Sequence, residues 1–173
     1  MKVVLKIVFI VAVAIVFHNS AYAQKPLKLA HIDSQELMRS MPEYDTAVVK
    51  LQKLQKELEG ELENLRVEYN RKLEEYVNNQ KNWTDLVRQS REQELQGMQQ
   101  KTQVFQESAM ETMEQEQAKL MQPVREKANK AIETIAVEQG ITYVLEAQSL
   151  YFKSADSQNI LPLVQQHLGI KKQ

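Results

Sequence analysis

The fold is decided by the segment from Ala47 to Tyr76, which reads AVVKLQKLQKELEGELENLRVEYNRKLEEY. Its apolar side chains recur in steps of three and four residues, at Ala47, Leu51, Leu54, Leu58, Leu62, Leu65, Tyr69, Leu73 and Tyr76. The steps repeat every eleven residues, which gives about 3.67 residues per turn, close to a straight α-helix. One narrow apolar stripe on an otherwise polar helix predicts a long rod that packs against a partner helix.

The partner helix is predicted to follow a polar turn near residues 78–84. The segments Glu43–Gln80 and Asp85–Gln122 contain 38 residues each, so two limbs of about 57 Å would lie side by side. Asn82 or Thr84 would cap the returning helix, and Pro123 would end it. An uninterrupted helix through Asn82 is the alternative.

A second unit is predicted from the segments on either side of this arm. Leu27–Asp33 alternates as a strand does, and Asp33 caps a short helix with Glu36. Ser40 and Glu43 repeat this spacing at the start of the arm.

After Pro123 a helix resumes and ends at Gly140. Two strands, Ile141–Ala147 and Leu150–Lys153, are predicted to form a hairpin around residues 148–149. Asp156 or Ser157 would cap a last helix that has Pro162 in its early turns.

The predicted fold is therefore α+β and mostly α, with a long antiparallel helical hairpin arm on a small β-rich base. The arm comprises residues 42–122, and the base comprises 24–41 and 123–173. The base has about 70 residues and the chain has no cysteine, so association of several chains would supply the missing core. Candidate residues for this oligomerisation are Leu29, Ile32, Ile141, Tyr143, Leu145 and Tyr151.

Residues 1–23 are predicted to be a cleavable signal peptide. Lys2 and Lys6 precede an apolar run, and an A-x-A site ends at Ala23. Gln24 follows where a lipoprotein would have cysteine. Export predicts a periplasmic protein, with outer-membrane association possible, and an uncleaved membrane anchor is the alternative.

Composition and spacing exclude several classes of function. A net charge of -1 does not suit a nucleic-acid-binding protein. His31 and His167 lack partners at metal-ligand spacing, and Glu57, Glu59, Glu61 and Glu63 are spread around a helix. The sequence has no nucleophile with a base, so we expect no catalytic site, no metal and no cofactor, and hence no enzyme.

The returning limb and the turn carry the candidate contact residues for a partner. Methionine side chains repack readily against varied surfaces, and tryptophan offers a large apolar area. The candidates are Trp83, Met98, Phe105, Met110 and Met113. Met98, Phe105 and Met113 could instead fill the seam between the limbs, whereas Met110 lies off this seam. Trp83 could cap the turn.

The order of these elements resembles the Skp/OmpH family of periplasmic chaperones. The resemblance rests on LKLAHIDSQEL (27–37), MPEY (41–44), PVREKANKAI (123–132) and ITYVLEA (141–147). It implies a jellyfish-shaped homotrimer in which unfolded outer-membrane proteins are held between the arms without ATP. The resulting hypothesis is an ATP-independent holdase. The alternative is a structural spacer or adaptor of the cell envelope that docks a folded partner through its tip.

The charge of the arm departs from this family. Its best-known members are basic, and their arms are thought to meet lipopolysaccharide and acidic clients. Residues 43–122 hold 11 basic and 16 acidic side chains here. The sequence therefore does not favour binding of lipopolysaccharide or an anionic membrane.

Overall fold

The computed structural model describes residues 27–170, so the predicted signal peptide lies outside the described residues. The elements follow one another along the chain as β1 (Leu29–Ile32), α1 (Ser34–Arg39), α2 (Pro42–Asn79), α3 (Asp85–Glu138), β2 (Tyr143–Glu146), β3 (Gln158–Asn159) and α4 (Leu161–His167). Two short 3-10 turns, Gln80–Asn82 and Ala147–Ser149, follow α2 and β2.

The three strands form a parallel sheet with β1 in the centre, in the order β2-β1-β3. Leu29 pairs with Tyr143, and Ala30 pairs with Gln158. Two parallel neighbours cannot be joined by a tight turn and need a crossover connection. Between β1 and β2 that crossover consists of α1, α2 and α3, and so includes the entire helical arm.

The core lies between one face of the sheet and the three helices α1, α3 and α4. Alternation along β1 directs Ala30 and Ile32 to this face. The helices bury the remaining core side chains against them, namely Leu37, Met41, Val124, Ala128, Ala131, Ile135, Ile160, Leu161 and Val164. The lower part of α3 thus belongs to the base.

The hairpin arm is confirmed, and its first helix and its turn lie close to the predicted positions. Pro42 starts α2, where its missing N–H costs nothing. Thr84, rather than Asn82, caps α3 and accepts a hydrogen bond from the Val87 amide at 3.4 Å. Gly140 follows the end of α3 with φ of 61°, a conformation that glycine adopts without strain. The alternative of an uninterrupted helix is wrong.

The predicted break at Pro123 is wrong, because Pro123 lies inside the continuous helix α3. A proline in a helix interior costs about 3 kcal/mol. On the following turns α3 buries Val124, Ala128 and Ile135 in the core. Burial of these side chains offsets the cost, so the helix runs from arm to base without interruption.

The predicted hairpin of Ile141–Ala147 with Leu150–Lys153 is also wrong. The first segment provides β2, but the chain leaves the sheet after it, and the third strand is the polar pair Gln158–Asn159. This pair joins the free edge of β1, and the Ile160 amide donates to the His31 carbonyl at 3.1 Å. The aromatic residues of Leu150–Lys153 favoured a strand there, but aromatic composition alone does not determine which segment pairs with the sheet.

Two predicted caps were assigned to the wrong residues. Ser40 ends α1 instead of starting α2, and its hydroxyl donates to the Leu37 carbonyl at 2.7 Å. The last helix begins at Leu161, whose amide donates to the Asn159 side chain at 3.0 Å. Neither Asp156 nor Ser157 caps it.

Carboxylates hold the junction between β1 and α1. Asp33 accepts from the Glu36 amide at 2.8 Å, as predicted, and its other oxygen accepts from the Gln148 amide group at 3.1 Å. These hydrogen bonds lower the pKa of Asp33, and the bond from the Glu36 amide has the largest effect. Glu146 accepts from the Ser34 amide at 3.2 Å, so the end of β2 is tied to the start of α1.

Within residues 27–170, none of the helices combines the length and the hydrophobicity that a membrane span requires.

Removal of a core side chain should destabilise the base. Leu37 is fully buried, and Leu37→Ala should lower the free energy of unfolding by about 2–5 kcal/mol, because it removes apolar contacts and leaves a cavity. Urea denaturation followed by far-UV circular dichroism, at equal protein concentration, measures the change.

Leu86→Ala provides the matched control. The Leu86 side chain is 77% exposed on the first turn of α3, so the same substitution should change the free energy of unfolding by less than about 0.5 kcal/mol. Equal effects of the two substitutions would contradict the assigned core.

Candidate functional site

The seam between α2 and α3 is thin and only half-buried over most of its length. Of the α2 stripe, Ala47 and Leu65 are buried, while Leu58 and Leu62 remain partly exposed. The facing positions on α3 are also half-buried, namely Leu95, Met98, Thr102, Phe105, Ala109 and Met113. The arm therefore leaves apolar surface in contact with water.

The eleven-residue stripe fails near the tip. Leu73 is 36% exposed, and Lys72 faces α3 in its place, since it contacts Glu94. Tyr76 faces α3 as the stripe predicts and donates a hydrogen bond to Glu92. After Leu65 the inward positions are thus spaced by four, three and four residues. The prediction of Leu73 in the seam is wrong, because polar pairs replace apolar contacts there.

A groove of about 570 Å³ opens in the middle of the arm between the two helices. Its apolar lining consists of Leu58, Leu62, Phe105, Ala109, Met110 and Met113. Polar side chains complete the lining, namely Gln55, Glu59, Gln106, Glu114 and Gln117. We call this site the mid-arm groove. It brings together Phe105, Met110 and Met113, three of the five predicted contact residues.

Met110 is the most accessible member of the mid-arm groove, with 63% of its surface exposed. It lies off the seam, as the sequence predicted, whereas Phe105 and Met113 contribute to both the seam and the groove. Met98 is half-buried nearer the tip and does not line this groove. The contact roles of these residues remain predictions.

Trp83 packs over the turn at the tip of the arm. Its ring lies 5.9 Å from the Tyr76 ring at an angle of 59°. The Arg91 guanidinium lies 5.9 Å from the centre of the Trp83 ring, a cation–π distance. The tryptophan is half-buried by these contacts, so the structure supports its role as a local cap.

Charged side chains fasten the two helices together beside Trp83. Glu94 bridges both helices, with Lys72 Nζ and an Arg91 nitrogen each at 2.7 Å. Hydrogen bonds lower the pKa of Glu94, and the bond from Lys72 has a larger effect than the bond from Arg91. Because this pKa is lowered, the two ion pairs stabilise the tip at neutral pH. Their contribution is lost as acidification protonates Glu94.

The face of the sheet opposite the core carries exposed apolar side chains. Leu29, Tyr143 and Leu145 lie on this side, which we call the outer face, and each is more than 40% exposed. Tyr151 and Phe152, in the segment that follows β2, are also exposed. Parallel sheets are normally covered on both faces. Within residues 27–170 the segment after β2 covers the outer face at the buried His31, but it leaves the three apolar side chains of the strands exposed.

Two of the predicted oligomerisation residues do not lie on the outer face. Ile32 is 3% exposed and belongs to the core of its own chain. Ile141 is half-buried against the same core. Strand alternation explains Ile32, since it points to the face opposite Leu29.

His31 is a buried structural residue of the outer face. Its Nδ1 lies 2.9 Å from the Ser157 hydroxyl, and its Nε2 lies 3.5 Å from Lys153 Nζ. These contacts hold the segment after β2 against the sheet. His167 is exposed at the end of α4. Within residues 27–170, no group of three His, Cys, Asp or Glu side chains could hold a metal ion.

Sequence reasoning missed the mid-arm groove as a site and the exposed Phe152. Leu58 and Leu62 were assigned only to a seam, and the groove forms because the facing α3 residues fill that seam incompletely. Phe152 was placed in a strand. No single-sequence signal identifies a shortfall in packing between two distant segments.

Comparison with known proteins gives a consistent family and fold. The sequence profile of the family described as "Outer membrane protein (OmpH-like)" matches residues 28–168. No curated protein sequence matches the chain significantly. The fold is similar to a crystal structure from Caulobacter crescentus CB15, described as that of a candidate outer membrane chaperone (OmpH-like), with a TM-score of 0.72 at 13% identity. That match covers 87% of this chain and 88% of the other.

Trp83→Ala should loosen the tip and leave the base unchanged. The substitution removes the contacts with Tyr76 and Arg91, and few buried side chains remain to hold the turn. Amide hydrogen exchange followed by mass spectrometry should show faster exchange in peptides covering residues 76–91, with no change in peptides covering 124–135.

Leu86→Ala is the control for this experiment, because Leu86 is near the turn but exposed. An unchanged exchange rate at the tip of the Trp83 variant would contradict the capping role.

Proposed function

The chain belongs to the OmpH-like outer membrane protein family, and we propose that it is an ATP-independent holdase chaperone that binds unfolded outer-membrane proteins in the periplasm. The observation that carries this proposal is the mid-arm groove, an apolar site on a hairpin whose seam is only half-buried. An unfolded chain with exposed apolar side chains can bury them there, where they cannot pair with other unfolded chains.

The mid-arm groove suits weak and varied contacts. Its Met110 and Met113 side chains adapt to different shapes, and it is open to solvent along the arm. Each contact alone would hold a client loosely, so several must act together. Release without ATP then follows from the loss of a few contacts at a time.

The proposed assembly is a homotrimer joined at the base. The outer face supports association, because Leu29, Tyr143 and Leu145 remain exposed on it within the described residues. Burial of this face by neighbouring chains would remove apolar surface from water. The arms of three chains would then enclose a cavity in which several mid-arm grooves contact one client.

The periplasmic location rests on the sequence of residues 1–23. A positive start, an apolar run and the A-x-A site before Gln24 are typical of a cleaved export signal. Mass measurement of the exported protein should place its first residue at Gln24.

A light-scattering assay tests the holdase proposal. An outer-membrane β-barrel protein diluted from urea aggregates, and one assembled chaperone per client should suppress the scattering without ATP. Scattering equal to that of the client protein alone would contradict the proposal. Crosslinking in cells adds a second test, since a holdase should capture many unfolded barrel proteins, whereas a spacer or adaptor should capture one folded partner.

Charges placed on the outer face should disrupt the oligomer. Tyr143→Asp combined with Leu145→Asp would bury two carboxylates in the proposed interface, which is unfavourable without partners. Native mass spectrometry should show trimers of the unmodified protein and monomers of the double variant.

Val137→Asp is the control for a new charge away from the outer face, because Val137 is exposed on α3. It should leave the trimer intact. A monomeric unmodified protein, or a trimeric double variant, would contradict the assigned interface.

A further inference from the structure

Negative charge is concentrated in the middle of the arm. The segments 57–63 and 104–116 contain no lysine or arginine. They contain eight glutamates, at positions Glu57, Glu59, Glu61, Glu63, Glu107, Glu111, Glu114 and Glu116. We call these eight glutamates the acidic band. Their helical turns flank the mid-arm groove, and Glu59 and Glu114 line it directly.

Most of the acidic band is not neutralised within residues 27–170. Only Glu57 and Glu116 have basic partners there, namely Lys53 at 3.8 Å and Lys119 at 2.8 Å. The other six lack an ion pair in that part of the chain.

Neutral amides take the place of basic partners for several of these carboxylates. Gln55 donates to Glu59 at 2.8 Å, Gln115 to Glu111 at 2.9 Å, and Gln103 to Glu107 at 3.1 Å. An amide donor orients a carboxylate but leaves its charge in place. The band therefore keeps its negative potential.

We propose that the mid-arm groove preferentially binds client segments that are both apolar and basic, in which lysine or arginine flanks large apolar side chains. The apolar lining would bury the client's apolar side chains, and Glu59 and Glu114 in the lining would pair with its cations. The rest of the acidic band would add negative potential around the groove. This specificity rests on the proposed holdase function and names the class of segment that the groove selects.

Charge complementarity favours this occupant over an acidic one. An acidic segment in the groove would bring like charges next to Glu59 and Glu114, which disfavours binding. A basic segment without apolar side chains would leave the lining of Met110, Met113 and Phe105 in water. Because Coulomb interactions between exposed groups extend only about 8–10 Å at moderate salt, the preference acts locally and does not depend on the net charge of the client.

Three labelled peptides of equal length test the preference. One alternates leucine with lysine, one alternates leucine with glutamate, and one alternates serine with lysine. Fluorescence anisotropy with the full mature chain at low salt should give the leucine–lysine peptide about tenfold tighter binding than either other peptide. High salt should reduce its advantage over the leucine–glutamate peptide.

Neutralisation of the band separates its charge from its shape. The variant Glu59→Gln, Glu107→Gln, Glu111→Gln and Glu114→Gln keeps side-chain size and helix propensity. It should lose most of the preference for lysine over glutamate. The matched control is Glu68→Gln, Glu74→Gln, Glu133→Gln and Glu138→Gln, which removes four exposed charges outside the band and should keep the preference.

A pair of single substitutions tests the apolar lining. Met110→Ser should weaken binding of the leucine–lysine peptide, whereas Val104→Ser, at an exposed position that does not line the groove, should not. Circular dichroism of both variants should show that their helices are kept.

The outcomes distinguish this inference from the holdase proposal. Equal binding of the leucine–lysine and leucine–glutamate peptides, or equal losses in the two fourfold variants, would overturn the inference even if aggregation is suppressed. Selective peptide binding without suppression of aggregation would uphold the groove's preference and overturn the holdase proposal.

Discussion

Parallel pairing of β1 with β2 is the constraint on which the rest of the structure depends. The two strands run in the same direction, so the chain must cross from one end of the sheet to the other between them. A single helix of about a dozen residues would suffice for this. Here α1, α2 and α3 make the crossing, and the long arm is an extension of that connection. Because α3 continues without interruption through Pro123 into the core, the arm is anchored in the base by the helix that buries Val124, Ala128 and Ile135.

The long arm is packed less completely than the base. Two helices alone can bury only one stripe each, and the stripes here are completed by tyrosine, threonine and charged side chains. Near the tip, Lys72, Glu94 and Arg91 replace apolar contacts with ion pairs. In the middle, apolar side chains remain without full cover and form a groove next to uncompensated carboxylates. The same shortage of packing thus leaves the arm with a surface for an unfolded partner.

The hairpin was predictable because its signals are local and repeated. The regular stripe from Ala47 to Leu65, the polar turn and the Thr84 cap each depend on residues within a few turns of one another. The third strand was not predictable, because Gln158 and Asn159 have no strand pattern of their own and join the sheet only where β1 offers a free edge. The contact residues show the same division. Met110 was recognised as lying off the seam, whereas the groove beside it depends on how Leu58 and Leu62 meet residues far along the chain.

The sequence by itself determined a mostly helical protein with a hairpin arm, an acidic middle and a small base without cysteine, because periodicity, capping and charge are properties of neighbouring residues. Only the tertiary structure decided that the sheet is parallel, that Pro123 lies within a continuous helix, and that Ile32 faces the core while Leu29 faces outward. It also decided where the groove opens. These features depend on contacts between residues far apart in the chain, whose energies compete with local preferences and can override them.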